Sequence, residues 1–275
     1  MLKTRVITAL ILLAILLPIL YFDFFPAFAM AVLVFFAASA WECFRLFKSP
    51  RPAVWAVLWT LAFAVILFYS GMPSVRSLYM LCVALWVIRF VPGLRVGLPP
   101  FEAFANRLLN GSYMVAILGC FVAIVDLFHR APLYLLSVMA VVWVADIGAY
   151  FAGKGFGRHK LAPGISPGKS WEGAVGGWLA VLVISAAVAM SVGLGETFQY
   201  RLFERWGWLG FVAVLTVMAA ASVVGDLFES QLKRRAGMKD SSNLLPGHGG
   251  VLDRIDALIP VLPLAALIDL WLAAP

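Results

Sequence analysis

The stretch "GSYMVAILGCFVAIVDLF", residues 111–128, decides the fold class, because it is an apolar run with a single charged side chain. A helix of this length spans the hydrocarbon core of a bilayer. Eight further windows share this character: 5–23, 26–46, 53–71, 74–92, 132–152, 172–193, 206–228 and 252–273. The sequence therefore predicts an all-α, polytopic membrane protein with about nine transmembrane helices.

The composition of the whole chain supports this prediction. Of its 275 residues, 63% are hydrophobic and 13% are charged, and the mean hydropathy is +0.97. So little polar surface excludes a soluble globular protein. Two positive charges precede the first apolar window, as in a signal peptide, but no small-residue cleavage site follows, so we interpret it as a membrane helix. The three cysteines lie far apart in or beside apolar windows and indicate neither a disulfide framework nor a metal cluster.

The distribution of basic residues predicts the orientation of the chain. If the N-terminus is cytoplasmic, 17 of the 21 lysines and arginines fall in cytoplasmic segments. The others fall outside: Arg76, Arg130, Arg201 and Arg205. This bias predicts a cytoplasmic N-terminus and an external C-terminus. The net charge of +7 then lies mostly in short loops beside the bilayer, which favours anionic membrane lipids rather than nucleic acid as partners.

Polar residues divide the chain into two regions. Residues 1–130 hold five predicted spans with few polar side chains. Residues 131–275 hold four spans and two cytoplasmic loops rich in glycine, lysine and carboxylates. No internal repeat is evident, and no hydrophilic stretch is long enough for a separate soluble domain. We therefore expect the chemistry in the C-terminal region.

The first of these loops reads "DIGAYFAGKGFGRHKLAPGISPGKSWEG", residues 146–173. Asp146 lies near the inner end of the sixth predicted span, where an ionisable group is usually paired or functional. Glycines let the backbone approach a ligand closely, and the basic side chains favour a phosphate-bearing ligand: Lys154, Arg158, Lys160 and Lys169. Ser170 is a candidate cap of the next helix, whose N-terminus could bind an anion. Alternatively, the loop only anchors the protein to lipid and sets its topology.

The second loop follows a polar stripe at the end of the eighth predicted span. Asp226, Ser230 and Lys233 are spaced i, i+4 and i+7, so a carboxylate, a hydroxyl and an ammonium group share one helix face. The segment "LLPGHGG", residues 244–250, then breaks the helix. Asp253 and Asp256 follow three residues apart and share a face of the ninth span.

Three carboxylates at this boundary repel one another unless cations or protons intervene. Oxygen ligands of this kind favour Mg²⁺, whereas zinc is disfavoured because His248 is the only nearby nitrogen ligand. Two alternatives stay open. Asp226 could pair with Lys233 or Arg254 while the other acids cap the ninth helix. His248 could orient a phosphate or only stabilise the turn.

The run from Ser230 to Asp256 resembles the signature of phosphatidate cytidylyltransferases, also called CDP-diacylglycerol synthases. The matching positions are Ser230, Lys233, Arg234, Lys239, Asp240, Ser242, Leu245, Pro246, His248, Gly249, Gly250, Asp253, Arg254 and Asp256. The likeness extends over the loop at residues 146–173, whereas residues 1–130 resemble the family only in hydropathy. At Gly168 the chain departs from the family pattern, in which a basic residue is expected.

The resemblance implies that CTP and phosphatidate give CDP-diacylglycerol and pyrophosphate, with Mg²⁺ as cofactor. It implies that Asp226 and Asp253 bind the metal. From the chemistry of the side chains we expect that Asp256 assists and that Ser230 orients a phosphate or a metal ligand. The chemistry fits, because an anionic lipid phosphate needs alignment and charge neutralisation more than a general base. The predicted catalytic residues are Asp226, Ser230, Lys233, Asp253 and Asp256. The predicted substrate-binding residues are Ser166, Lys169, Ser170, Arg234, Lys239, His248 and Arg254.

We expect the site at the cytoplasmic face of a bacterial inner membrane, where soluble CTP meets a lipid whose acyl chains stay in the bilayer. Family analogy also favours a homodimer. Three other functions stay open: a CTP-dependent kinase of a polyprenol-type lipid, a non-catalytic lipid-binding protein, and an ion-coupled transporter with Asp146, Asp226 and Asp253 as a relay. A kinase would release CDP rather than pyrophosphate, and a transporter would need its carboxylates nearer the middle of the bilayer.

Overall fold

The computed structural model describes residues 10, 14, 17–68 and 75–273, and this part of the chain is mostly helical. The helices are α1 (Phe25–Leu46), α2 (Pro52–Phe68), α3 (Arg76–Leu85), α4 (Val91–Val96), α5 (Phe104–Arg130), α6 (Pro132–Phe156), α7 (Trp171–Met190), α8 (Phe198–Ala236), α9 (Leu252–Ile255) and α10 (Leu258–Leu272). A π-helical turn, Trp86–Phe90, joins α3 to α4. An antiparallel hairpin, β1 (Lys160–Ala162) and β2 (Ser166–Ser170), separates α6 from α7.

Within the described residues, six helical segments are long and apolar enough to cross a membrane: Phe25–Leu46, Arg76–Val96, Phe104–Arg130, Pro132–Phe156, Trp171–Met190 and Phe198–Ala236. Two shorter apolar helices, Pro52–Phe68 and Leu258–Leu272, coincide with the predicted spans 53–71 and 252–273. The prediction of an all-α membrane protein is confirmed. The first predicted span, 5–23, lies largely outside the described residues, so the total of nine spans stays a prediction.

Helix α8 runs for 39 residues and is therefore longer than the predicted span, 206–228. Its backbone leaves helical geometry at Gly207, where φ is 60°, a value that glycine adopts without steric cost. From Gly207 to Ala236 the helix rises about 44 Å, compared with about 30 Å for the hydrocarbon core of a bilayer. The helix is therefore longer than a bilayer core is thick, and its last turn carries Lys233, Arg234 and Arg235.

Small residues allow α6 and α7 to pack closely. A Cβ atom added at Gly148 would lie 2.7 Å from the Cβ of Ala180, and one added at Gly176 would lie 2.1 Å from the Cβ of Ala152. Small residues at such a contact let two helix backbones approach, which is a main source of packing energy between membrane helices. The close pair α6 and α7 supports the hairpin that connects them.

A buried aromatic cluster joins the N-terminal helices to α8. The ring centroid of Phe228 lies 4.8 Å from that of Phe90, 5.2 Å from that of Tyr113 and 5.8 Å from that of Trp86. Tilted and edge-to-face pairs of this kind are worth about 0.5–1.5 kcal/mol each beyond the burial of their area. One hydrophobic core therefore includes described residues from both regions, 1–130 and 131–275. That the catalytic chemistry belongs to the second region stays a prediction.

Polar contacts mark the two ends of the helix bundle. At one end, Nη1 of Arg235 donates to the carbonyl of Pro99 at 3.0 Å and to Oδ1 of Asn106 at 2.9 Å. At the other end, Nη1 of Arg130 lies 3.0 Å from Oδ2 of Asp269. The end of α8 and the start of α5 therefore meet at one end of the bundle. The end of α5 and the second half of α10 meet at the opposite end.

Candidate functional site

The stripe predicted on α8 faces the acidic segment that follows the glycine-rich loop. Oγ of Ser230 donates to Oδ1 of Asp226 at 3.2 Å. Farther along the helix, Nζ of Lys233 donates to Oδ1 of Asp253 at 2.7 Å. The structure therefore brings these four predicted catalytic residues to one side of α8.

The glycine-rich loop folds tightly over Asp253. Oδ2 of Asp253 accepts hydrogen bonds from the backbone N–H of Gly250 at 2.7 Å and of Ser241 at 2.9 Å. Gly249 has a φ of 84°, and a Cβ atom added there would lie 2.7 Å from Oδ2 of Asp253. The backbone conformation and the approach of the carboxylate both require glycine at this position.

Lys233 also pairs with Glu229, whose side chain is fully buried on the same helix. Nζ of Lys233 therefore lies between the carboxylates of Glu229 and Asp253. An ammonium group in this position offsets the repulsion between two acids that are largely removed from water. Glu229 was not among the predicted site residues, although its i, i+4 spacing to Lys233 is the usual signal for a helical ion pair.

Asp226 forms an ion pair with the hairpin, in addition to the hydrogen bond that it accepts from Ser230 on its own helix. Oδ2 of Asp226 lies 2.6 Å from Nζ of Lys169 on β2. The alternative pairing of Asp226 with Lys233 or Arg254 is therefore not the one observed. Because Lys169 and Asp226 come from different elements, their ion pair also fixes the hairpin against α8.

Two more aspartates lie close to Asp226. Asp146 on α6 and Asp256 after α9 are both near enough to interact electrostatically with the Asp226 carboxylate. Gly225 allows this approach, since a Cβ atom added there would lie 2.4 Å from the carbonyl oxygen of Asp256 and 2.9 Å from the ring of Pro260. We call Asp146, Lys169, Asp226, Glu229, Ser230, Lys233, Asp253 and Asp256 the ionic cluster.

Ser166, Lys169 and Ser170 all lie on β2, but their surroundings differ. Ser170 is buried, and its Oγ accepts the N–H of Gly173 at 3.1 Å, so it caps α7 as predicted. Ser166 is partly buried at the start of the strand. Lys169 contacts the ionic cluster directly, whereas the hydroxyl of Ser170 is engaged in the cap.

Four predicted substrate-binding residues lie at the end of α8, in the following loop and in α9. Nε of Arg234 donates to the carbonyl of Ile165 at 3.5 Å, and Nε of Arg254 donates to the carbonyl of His248 at 3.0 Å. The Nδ1 atom of His248 is buried and has no hydrogen-bond partner within the described part of the chain. Lys239 is exposed, as are Arg234 and Arg254, so three positive charges face solvent beside the cluster.

One further acidic side chain was missed by the sequence analysis. Glu42 of α1 is fully buried, and its carboxylate accepts hydrogen bonds from Ser241, Ser242, Val251 and Leu252, which lie on both sides of the glycine-rich turn at residues 244–250. Glu42 and Ser241 are 199 positions apart in the chain. No local pattern predicts a contact over that range.

A cavity of about 760 Å³ adjoins the ionic cluster between α6, α7 and α8. Its charged lining residues are Asp146, Lys154, Lys169 and Asp226. On α8 the lining runs from Thr216 to Leu227, so the cavity follows that helix for about 16 Å through mostly apolar residues. A cavity with charged groups at one end and apolar walls along membrane helices suits an amphipathic ligand.

The carboxylates of the cluster fit a hard divalent cation by their chemistry. Within the part of the chain that the structure describes, no group of three His, Cys, Asp or Glu side chains forms a metal site by itself. Mg²⁺ often binds through one or two protein carboxylates, with water and substrate phosphates as the other ligands. The assignment of Asp226 and Asp253 as metal ligands stays a prediction, since each carboxylate is paired with a lysine ammonium group in the structure.

Comparisons with known proteins show which family the chain resembles over nearly its whole length. The chain is 40% identical to the phosphatidate cytidylyltransferase of Pseudomonas aeruginosa, over 99% of this chain and 98% of that protein. It is 35% identical to the phosphatidate cytidylyltransferase of Haemophilus influenzae over 96% of each chain, and 34% identical to that of Brucella suis over 100% of this chain and 95% of that one. The profile of the cytidylyltransferase family matches residues 3–271, and the chain therefore belongs to this family.

Proposed function

We propose that this protein transfers the cytidylyl group of CTP to phosphatidate, giving CDP-diacylglycerol and pyrophosphate in phospholipid biosynthesis. The family and the names of relatives that match nearly the whole chain support this reaction. The structural observation that carries it is the ion pair of Lys169 and Asp226 in the wall of a largely apolar cavity. Such a site accommodates a charged phosphate and a lipid chain together.

The cavity between α6, α7 and α8 is the proposed site for phosphatidate. Lys154 and Lys169 lie where they can neutralise its phosphate, and the wall from Thr216 to Leu227 can align an acyl chain with α8. Because acyl chains are already in an apolar solvent before they bind, this wall contributes orientation more than affinity. Ser166 is assigned to a phosphate contact, and Ser170 acts by fixing the end of β2.

The exposed basic residues Arg234, Lys239 and Arg254 are assigned to CTP and the departing pyrophosphate. His248 is assigned to the same side, next to Arg254. The attacking lipid oxygen is anionic, so the main barrier is the repulsion and alignment of two phosphorylated molecules. Fixed cationic side chains reduce that barrier without any proton transfer to a general base.

Mg²⁺ is the proposed cofactor, bound by Asp226 and Asp253 with the assistance of Asp256. When bound, it would supply positive charge that offsets the repulsion between the two substrates. Lys169 and Lys233 each pair with one of these carboxylates, and the same ammonium groups can bind phosphate oxygens. Ser230 keeps the Asp226 carboxylate oriented through its hydrogen bond.

We also propose nine transmembrane helices with a cytoplasmic N-terminus, in a bacterial inner membrane with the site facing the cytoplasm. Three of the four arginines predicted to be outside, Arg130, Arg201 and Arg205, line one pocket with Leu272. This pocket lies at the end of α8 opposite to the ionic cluster. The separation of these arginines from the basic loops supports the predicted orientation. The homodimer stays a prediction.

Product analysis with purified protein in detergent tests the reaction. With CTP, phosphatidate and Mg²⁺, we expect equal amounts of CDP-diacylglycerol and pyrophosphate, and neither product after chelation of the metal. Release of CDP with a phosphorylated polyprenol would indicate the kinase instead. Ion flux into liposomes without nucleotide turnover would indicate the transporter.

Asp253→Asn tests the proposed metal ligand. The amide keeps the size of the side chain but removes the negative charge, so we expect turnover to fall by a factor of about 100 or more. Asp23→Asn is the matched control, because Asp23 is exposed and its φ of 50° suits asparagine. Wild-type turnover in Asp253→Asn would refute the assignment.

A further inference from the structure

Glu42 lies in α1, far along the chain from the ionic cluster, and is fully buried. Its Oε1 atom accepts the N–H of Val251 at 3.0 Å and the hydroxyl of Ser242 at 2.5 Å. Its Oε2 atom accepts the N–H of Leu252 at 2.6 Å and lies 3.1 Å from the hydroxyl of Ser241. All four donors belong to the loop that encloses Asp253.

A buried carboxylate is costly to remove from water unless hydrogen bonds or a cation compensate. Among the ion pairs of the described residues, none includes Glu42, so the loop donors provide the compensation. These donors come from two short segments, 241–242 and 251–252, which precede and follow the glycine-rich turn. Glu42 therefore ties both ends of the turn to α1.

Ser241 connects Glu42 to Asp253 directly. Its Oγ lies 3.1 Å from Oε2 of Glu42 and 3.0 Å from Oδ2 of Asp253. One hydroxyl proton serves only one acceptor at a time, so the hydroxyl is shared between the two carboxylates. The backbone N–H of Ser241 binds the same Oδ2 atom at 2.9 Å. A shift of Glu42 would therefore be transmitted to Asp253 through a single residue.

The space around Gly250 shows how closely the three groups are packed. A Cβ atom added at Gly250 would lie 2.0 Å from Oγ of Ser241 and 2.5 Å from Oε1 of Glu42. The N–H of Gly250 donates to Oδ2 of Asp253 at 2.7 Å. The same backbone segment thus contacts Glu42 on one side and Asp253 on the other.

We propose that Glu42 is a positioning residue that fixes the glycine-rich loop and, through Ser241, the orientation of the Asp253 carboxylate. The proposal rests on the proposed function for its catalytic consequence, since Asp253 is there assigned to the metal. It also gives the N-terminal helices a direct part in the site. Replacement of a residue that orients a metal ligand usually lowers metal affinity or activity by a factor of about 10–100.

Glu42→Gln is the principal variant, because it keeps the shape of the side chain and replaces one acceptor oxygen with a donor. Hydrogen exchange measured by mass spectrometry gives a readout independent of catalysis. We expect faster exchange in the peptide that covers residues 241–253. The N–H groups of Val251 and Leu252 lose one of the two carboxylate oxygens of Glu42 as an acceptor, and those of Ser241 and Gly250 donate to an Asp253 carboxylate that is held less firmly. Ser39→Ala is the control, since Ser39 is also buried in α1 but, among the described residues, its hydroxyl bonds only within its own helix, to the carbonyl of Phe35.

Steady-state kinetics provide the second readout. We expect the Mg²⁺ concentration for half-maximal turnover to rise by a factor of about 10–100 in Glu42→Gln, while Ser39→Ala behaves as wild type. Wild-type exchange in residues 241–253, or faster exchange with an unchanged Mg²⁺ requirement, would overturn the proposal.

If Glu42→Gln does not fold, Ser241→Ala is tested by the same two readouts, because it removes the bridge but leaves three donors to Glu42. If wild type forms no CDP-diacylglycerol, the proposed function fails, and wild-type exchange in the variant would still refute the role of Glu42.

Discussion

At the scale of single residues, Lys233 has the least replaceable position in the ionic cluster. Its ammonium group lies between Glu229 and Asp253, and its side chain is only 10% exposed. Glu229 depends on it, because no other group among the described residues pairs with the Glu229 carboxylate, whereas Asp253 also accepts hydrogen bonds from Ser241 and Gly250. Removal of one partner from a buried ion pair leaves an uncompensated charge, which costs more than the pair contributes.

Lys233→Gln should therefore lower the free energy of unfolding by about 3–5 kcal/mol. Thermal unfolding in detergent, followed by circular dichroism, measures this change. The neighbouring Arg234→Gln is the control, since Arg234 is exposed and its loss should change stability by less than about 0.5 kcal/mol. The double variant Glu229→Gln, Lys233→Gln should recover part of the loss. If Lys233→Gln and the double variant are equally stable, that result contradicts the pairing of Lys233 with Glu229.

At the scale of elements, the approach of α8 to the segment before α10 brings Asp226 near Asp256. Gly225 leaves the space for that approach, because its missing side chain faces the carbonyl of Asp256 and the ring of Pro260. Proline and backbone atoms cannot move aside as a flexible side chain can. The contact between these elements therefore has little tolerance for added volume.

Gly225→Ala should separate the two elements and displace Asp226 from Asp256. We expect a loss of about 1–3 kcal/mol in stability from overpacking, although alanine has the higher helix propensity, together with lower turnover. Gly111→Ala on α5 is the control, since a Cβ atom there meets nothing within 4 Å. Unchanged stability and turnover in Gly225→Ala would show that the two elements can move apart freely.

Local patterns predicted the helices and the stripe on α8, because hydropathy and helical spacing are properties of adjacent residues. The hairpin was not predicted, since "KLA" and "SPGKS" are short and lack a regular alternation of apolar and polar residues. The pairing of Lys169 with Asp226 and the contacts of Glu42 join segments far apart in the chain. A single sequence contains no signal for such contacts, which depend on how the helices pack.

At the scale of the whole molecule, the two ends of the bundle differ in chemistry. One end holds the ionic cluster, the hairpin and most basic loops, while the other holds the pocket of Arg130, Arg201 and Arg205. A lipid with its headgroup at one surface can meet CTP only if the cluster faces the compartment that contains CTP. The orientation of the chain in the membrane is therefore part of the proposed function.

Labelling of single cysteines tests this orientation. Cys43, Cys82 and Cys120 are free but buried, so the unaltered chain should react little with a membrane-impermeant maleimide and serves as the control. Lys160→Cys lies on the exposed hairpin, and Ser191→Cys lies at the exposed end of α7. We expect labelling of Ser191→Cys in intact spheroplasts and of Lys160→Cys in inverted membrane vesicles, because the two positions lie at opposite ends of a membrane helix. The reverse pattern would place the ionic cluster outside, away from cytoplasmic CTP, and would contradict both the orientation and the reaction that depends on it.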